Sequence, residues 1–169
     1  MAGHAVVKMD ALRNAFAAAD CRNVRTYIQS GNVVFDSSAA EPAVVRKLHE
    51  PLRALLGEEP CLFLRTVEEM ADLVNRDPFQ DFRGEAKVKF YVAFLPQAPR
   101  AKPRFPLLVP KEGLEVFAMS GRDVFVVSRP DPKCSYGFPN RSIEKEFGVP
   151  ATTRNWNTVV KIVKFAQSK

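Results

Sequence analysis

Residues 88–95 read Val-Lys-Phe-Tyr-Val-Ala-Phe-Leu, with Lys89 the single charged position. A strand with one face in water alternates apolar and polar side chains, because successive side chains point to opposite faces. This run does not alternate, so it is expected to be a central strand covered on both faces. The remainder of the chain then has to supply neighbouring strands and helical cover on two sides.

Helical cover is visible by period. Met9, Leu12, Phe16 and Ala19 recur at three- and four-residue spacing, which predicts an amphipathic helix over 10–19. Val44, Leu48, Leu52 and Leu55 predict another over 41–56, with Pro51 expected to kink or restart it and Gly57 to end it. Thr66 followed by Glu69 is a capping box opening a third helix to about residue 75. A short helix over 141–147 ends at Gly148, and a last one over 155–167 turns Trp156, Val159, Val160 and Val163 inward. Strands come between. Val24, Thr26 and Ile28 alternate with Arg25, Tyr27 and Gln29, and Ser30-Gly31-Asn32 leads into Val33-Val34-Phe35, which is a hairpin pattern. Residues 61–64 predict a short strand, with Cys61 in the core, and residues 114–119 and 124–127 a second hairpin around Ser120-Gly121-Arg122-Asp123.

Both hairpins have a Ser-Gly turn, a Phe in the second strand and a helix downstream. The resemblance between them is either that of any two hairpins or that of an internal duplication. Five prolines between residues 96 and 110 form the one linker-like composition in the chain. The expected fold class is therefore α+β, with two packed α+β halves of ferredoxin-like character and mainly antiparallel sheets. The first half is 1–95, the Pro-rich connection 96–111 and the second half 112–169. The first half runs helix–strand–strand–helix–strand, a split βαβ unit without its opening strand.

A chain of 169 residues with 46% hydrophobic and 26% charged residues has globular rather than disordered composition. Three distant cysteines with no CxxC spacing argue against a secreted disulfide scaffold, and make a reducing cytosol the default. No apolar run approaches the roughly 20 residues of a membrane helix, and residues 1–8 lack a signal-peptide pattern, so a cytoplasmic, membrane-free protein is expected. The net charge of +6 is unevenly placed. Residues 100–169 hold 13 Lys/Arg and 6 Asp/Glu, a net of +7, whereas residues 1–99 hold 12 and 13, a net of −1.

Two stretches carry a family resemblance: Arg25-Thr26-Tyr27-Ile28-Gln29-Ser30-Gly31-Asn32-Val33-Val34-Phe35 and Ala151-Thr152-Thr153-Arg154-Asn155-Trp156-Asn157-Thr158-Val159. They closely resemble the two signature segments of the bacterial domain-of-unknown-function family 1697, and the order of elements between them matches. The resemblance implies an α+β fold of ferredoxin-like character and assigns no catalytic residue, substrate or cofactor. Members of that family usually begin with a strand and a glycine-rich turn, of which only Ala2-Gly3-His4 remains here. The codons upstream of Met1 are accordingly expected to continue in frame and encode that strand.

Motifs for phosphate loops, dinucleotide binding, zinc proteases and serine hydrolases are absent from the sequence, which leaves no cofactor or metal to expect and argues against an enzyme. His4 and His49 lack the neighbours of a general base, and Cys134 in the basic Pro132-Lys133-Cys134-Ser135-Tyr136 segment is a lone thiol. The leading candidate site is Thr152, Thr153, Arg154, Asn155, Trp156 and Asn157, where a helix start would favour an anion and Arg154 would add a charged contact. The competing reading makes Thr153 or Asn155 a helix cap, Trp156 a core anchor and Arg154 an ion-pair partner. Arg25, Tyr27, Gln29 and Asn32 form a second candidate set, either a polar groove or the wet side of a hairpin. The expected function is binding of an anionic small molecule or a protein partner near 152–157. The alternatives are nucleic-acid binding by the basic C-terminal half, with Tyr136 and Phe138 available to stack on bases, and an enzyme of unknown reaction.

Overall fold

The computed structural model describes residues 7–27 and 31–168, and the chain divides into two units, Met1–Leu62 and Phe63–Lys169. In the first unit, helix α1 (Met9–Ala18) buries Leu12 and Phe16 of the expected stripe together with Ala15, while Met9 is half-buried. Strands β1 (Arg22–Tyr27) and β2 (Asn32–Asp36) pair antiparallel as a two-stranded sheet. Phe35 of β2 meets Phe16 of α1 with ring centroids 5.1 Å apart. The register shifts between Arg22 and Arg25, where Asn23 takes φ 51° and its amide donates to Asp36 Oδ2 at 2.6 Å. Ile28 and Gln29 of the expected strand and Ser30 of the expected turn lie outside the described residues.

Helix α2 (Glu41–Leu56) runs through Pro51 as one element, so the helix does not restart there. Proline removes one donor there, but Leu48 and Leu52 on either side of it are buried, and side-chain packing rather than a single backbone bond decides a helix in a folded chain. Gly57 closes α2 at φ 73°, in the left-handed region where a Cβ is disfavoured.

Residues 61–64, where a strand was expected, are irregular chain at the junction of the two units, and Cys61 is exposed rather than in a core. Without a strand partner those residues instead deliver Phe63 to a hydrophobic cluster. Helix α3 (Val67–Arg76) starts with the capping box foreseen: Glu69 N donates to Thr66 Oγ1 at 3.1 Å, and Thr66 N donates to Glu69 Oε2 at 2.7 Å. Then come β3 (Lys89–Phe94), β4 (Leu107–Val109), β5 (Leu114–Ser120), β6 (Asp123–Ser128), helix α4 (Asn140–Phe147), β7 (Thr152–Asn155) and helix α5 (Trp156–Gln167). The strands form one antiparallel sheet in the order β4-β5-β6-β3-β7.

The central position of the apolar run is borne out, since β3 lies between β6 and β7. Val92 and Phe94 face one cluster with Leu73, Phe79, Phe125, Val127, Trp156 and Val159. Tyr91 and Ala93 face another with Leu114, Val116, Val124, Val126 and Ile143. Strand β3 lies between the parallel strands β6 and β7, which α4 joins, the split βαβ arrangement of ferredoxin-like units. The fold is α+β with two mainly antiparallel sheets. Two boundaries differ from expectation. The Pro-rich segment contributes β4 to the sheet instead of joining two halves. The division falls at 62/63 rather than at 95, because the hydrogen-bond partners of β3 are β6 and β7.

Candidate functional site

Strand β7 holds most of the 152–157 candidates. The sequence places Thr152, Thr153, Arg154 and Asn155 just before or at a helix start; they form an edge strand against β3 that runs directly into α5. Alternation along β7 splits them between two faces. Thr152 and Arg154, opposite Phe94 and Val92, lie on the α3/α5 face, whereas Thr153 and Asn155, opposite Ala93 and Tyr91, lie on the α4 face.

Arg154 Nη1 donates to Thr152 Oγ1 at 2.8 Å and to the Thr153 carbonyl at 3.0 Å. Burial pushes the Arg154 guanidinium below its usual pKa, since desolvation penalises the charged form. Thr153 is buried and its hydroxyl donates to Asn140 Oδ1 at 2.9 Å, tying β7 to the first turn of α4. Ala151 N donates to Glu144 Oε1 at 3.0 Å, a second tie to the same helix. Asn155 caps α5, its Oδ1 accepting from Asn157 N at 2.9 Å. Trp156 is 5% exposed and meets Phe79 edge-on at 5.1 Å, which makes it a core anchor.

In the first unit, register puts Arg25, Tyr27 and Asn32 on one face of the β1–β2 sheet, with Asn32 opposite Tyr27. Asn32 Nδ2 donates to the Tyr27 carbonyl at 3.2 Å. Gln29 lies outside the described residues. The two candidate sets are thus each gathered within their own unit.

Arg65, a buried cation of the second unit, carries no local sequence signal. The Arg65 side chain is 5% exposed, and its Nε donates to Asp123 Oδ1 at 2.8 Å. Its Nη1 donates to the Leu64 carbonyl at 2.7 Å, and its Nη2 to the Leu95 and Arg122 carbonyls at 3.0 and 2.9 Å. The guanidinium also lies 5.3 Å from the Phe94 ring centroid. Burial lowers its pKa and the Asp123 carboxylate opposes that. Arg65 floors a cleft of about 420 Å³ that Asp72, Arg76, Ser120 and Arg122 also line. Its partners are up to 58 residues away, so no local pattern marks them. Arg129 makes a second network, binding the Glu85 carboxylate, and Glu115 at 2.6 Å, which raises the pKa of the guanidinium and lowers that of Glu85.

Other titratable candidates fall where the sequence left them. His49 sits on the surface of α2 between Glu59, 2.8 Å away, and Glu50, 3.3 Å away. Cys21 is buried, which raises its pKa, and Cys134 is exposed. Among the described residues, no helix is long and apolar enough to cross a membrane.

Comparison with known proteins bears on fold and family. The structure is similar to that of a conserved bacterial protein, SP0830, from Streptococcus pneumoniae, with a TM-score of 0.60 and 21% sequence identity over 96% of this chain and 90% of that one. At that identity the likeness concerns the fold alone. No curated protein matches the sequence. The model of the family described as protein of unknown function (DUF1697) matches residues 1–125, which takes in the hairpin signature at 25–35 and stops before the one at 151–159. With most of its length matched, the chain belongs to the DUF1697 family.

Proposed function

We propose that this chain is a binding protein rather than a catalyst, and that it takes an anionic group, from a small molecule or a protein partner, where β7 enters α5. The observation that carries this reading is the position of Arg154. Its guanidinium is held in a desolvated place beside the Thr152 hydroxyl, one residue from the cap of a twelve-residue helix. Desolvation raises the free energy of the charged form, and an arriving carboxylate or phosphate offsets it with charge-assisted hydrogen bonds. The positive end of α5 adds in the same sense, worth a few tenths to about 1 kcal/mol.

The test is a thermal-shift series with inorganic phosphate, phosphorylated metabolites and dicarboxylates, on the wild type and on Arg154→Ala. A compound at a hundred times its Kd stabilises the protein by about 2.7 kcal/mol, and the shift vanishes in the variant. If Arg154→Ala lowers the melting temperature while no anion raises that of the wild type, the residue is a structural one and the reading is lost.

A further inference from the structure

A second surface, on the opposite face of the sheet from Arg154, has a different composition. Phe138 is 56% exposed, one of three large apolar side chains left in solvent among the described residues. It is not loose. Its ring stands edge-on to Tyr91 of β3 at 5.7 Å, and both chain neighbours are fixed. Ser128 Oγ donates to the Gly137 carbonyl at 3.0 Å, and Pro139 is fully buried. The loop leading in is fixed too, with Asp131 Oδ1 accepting from Lys133 N at 2.9 Å and from Ser135 N at 2.8 Å. Next to Tyr91 on the same face, Lys89 holds its ammonium 4.0 Å above the Tyr136 ring, whose hydroxyl donates to the Lys87 carbonyl at 3.0 Å.

The surroundings are basic. Residues 83–89 hold three basic side chains and one acidic, and residues 129–141 likewise, a net of +2 from each. Lys87, Lys89, Lys133 and Arg141 are exposed, and none of the four makes an ion pair among the described residues. The acidic neighbours are engaged: Glu85 by Arg129, Asp131 by two backbone amides, and Glu112 by the Ser142 hydroxyl at 3.3 Å.

We infer that this face is a stacking platform for single-stranded nucleic acid, with a base on the Phe138 ring and the phosphates on Lys87, Lys89, Lys133 and Arg141. A fixed, exposed aromatic on a face whose cations make no ion pair is the arrangement that binds a strand without reading its sequence. The cations are spread along two chain segments rather than gathered around a pocket, which suits successive phosphates better than a single mononucleotide. The inference stands apart from Arg154, which lies on the other face.

Fluorescence anisotropy of labelled oligothymidylate and oligouridylate tests it. Wild-type affinity is expected to fall steeply with salt. Phe138→Ala weakens binding about tenfold at fixed salt, and Phe138→Trp keeps it, because every aromatic face stacks. Lys133→Ala lowers the salt slope by about one. Absence of binding at low salt overturns the inference, as does equal affinity for a duplex or an affinity indifferent to Phe138→Ala. So does a preference for phosphatidylserine vesicles with the same dependence on Phe138.

Discussion

Arg65 shows how much one side chain can organise. It donates to a carboxylate and three carbonyls drawn from the start of α3, the end of β3 and the β5–β6 turn. Truncation leaves Asp123, only 15% exposed, without its cation. Arg65→Ala is therefore expected to lose about 3–5 kcal/mol in urea denaturation, the range for breaking a buried pair from one side. Arg65→Lys does not restore the loss, because an ammonium cannot reach acceptors arranged for a planar fork. Glu85 gives a pH dependence at the same scale. Arg129 lowers its folded-state pKa below the ordinary 4.5. The unfolded chain consequently takes up a proton first as the pH falls. The contribution is full above pH 4.5 and is lost as the pH drops through the lower folded value. Glu85→Gln should flatten that part of the acid-stability curve, and added salt should reduce the difference, since the pair is partly exposed.

Among elements, the β5–β6 hairpin contains a useful contrast between two glycines. Gly113, just before β5, has φ 64°, and a Cβ there would come 2.2 Å from the Arg129 carbonyl oxygen. Gly121 in the turn has φ 60° with nothing within 4 Å of its would-be Cβ. Gly121→Ala is thus expected to cost about 1 kcal/mol, for the left-handed backbone alone. Gly113→Ala adds a backbone clash and should cost about 3 kcal/mol, measured by the same denaturation. The elements also show what a sequence declares. The α3 capping box was legible because Thr66 and Glu69 satisfy each other within one turn. The β3 run was legible because burial on two faces leaves no polar alternation. Strand β7 was not: Thr-Thr-Arg-Asn is short and polar, and it becomes a strand through its pairing with β3 some sixty residues earlier. The tie from Thr153 to Asn140 depends on that pairing, so the candidate residues were legible but their distribution over two faces was not.

For the whole molecule, the sequence pointed to two α+β parts and misplaced the line between them. Proline content suggested a linker at 96–111, but hydrogen bonding across the sheet, which composition does not reveal, draws β3 and β4 into the second unit. A fragment beginning at Phe63 contains the entire five-stranded sheet and both of its hydrophobic clusters. It is expected to unfold in urea as one cooperative transition, followed by far-ultraviolet circular dichroism. Within that unit lies Trp156, the chain's single tryptophan, packed against Phe79. Its emission is an internal label for the second unit and is blind to the first. Comparing emission with circular dichroism on the intact chain therefore reads the melting of α1 and α2 as the difference between two curves, with no dye attached.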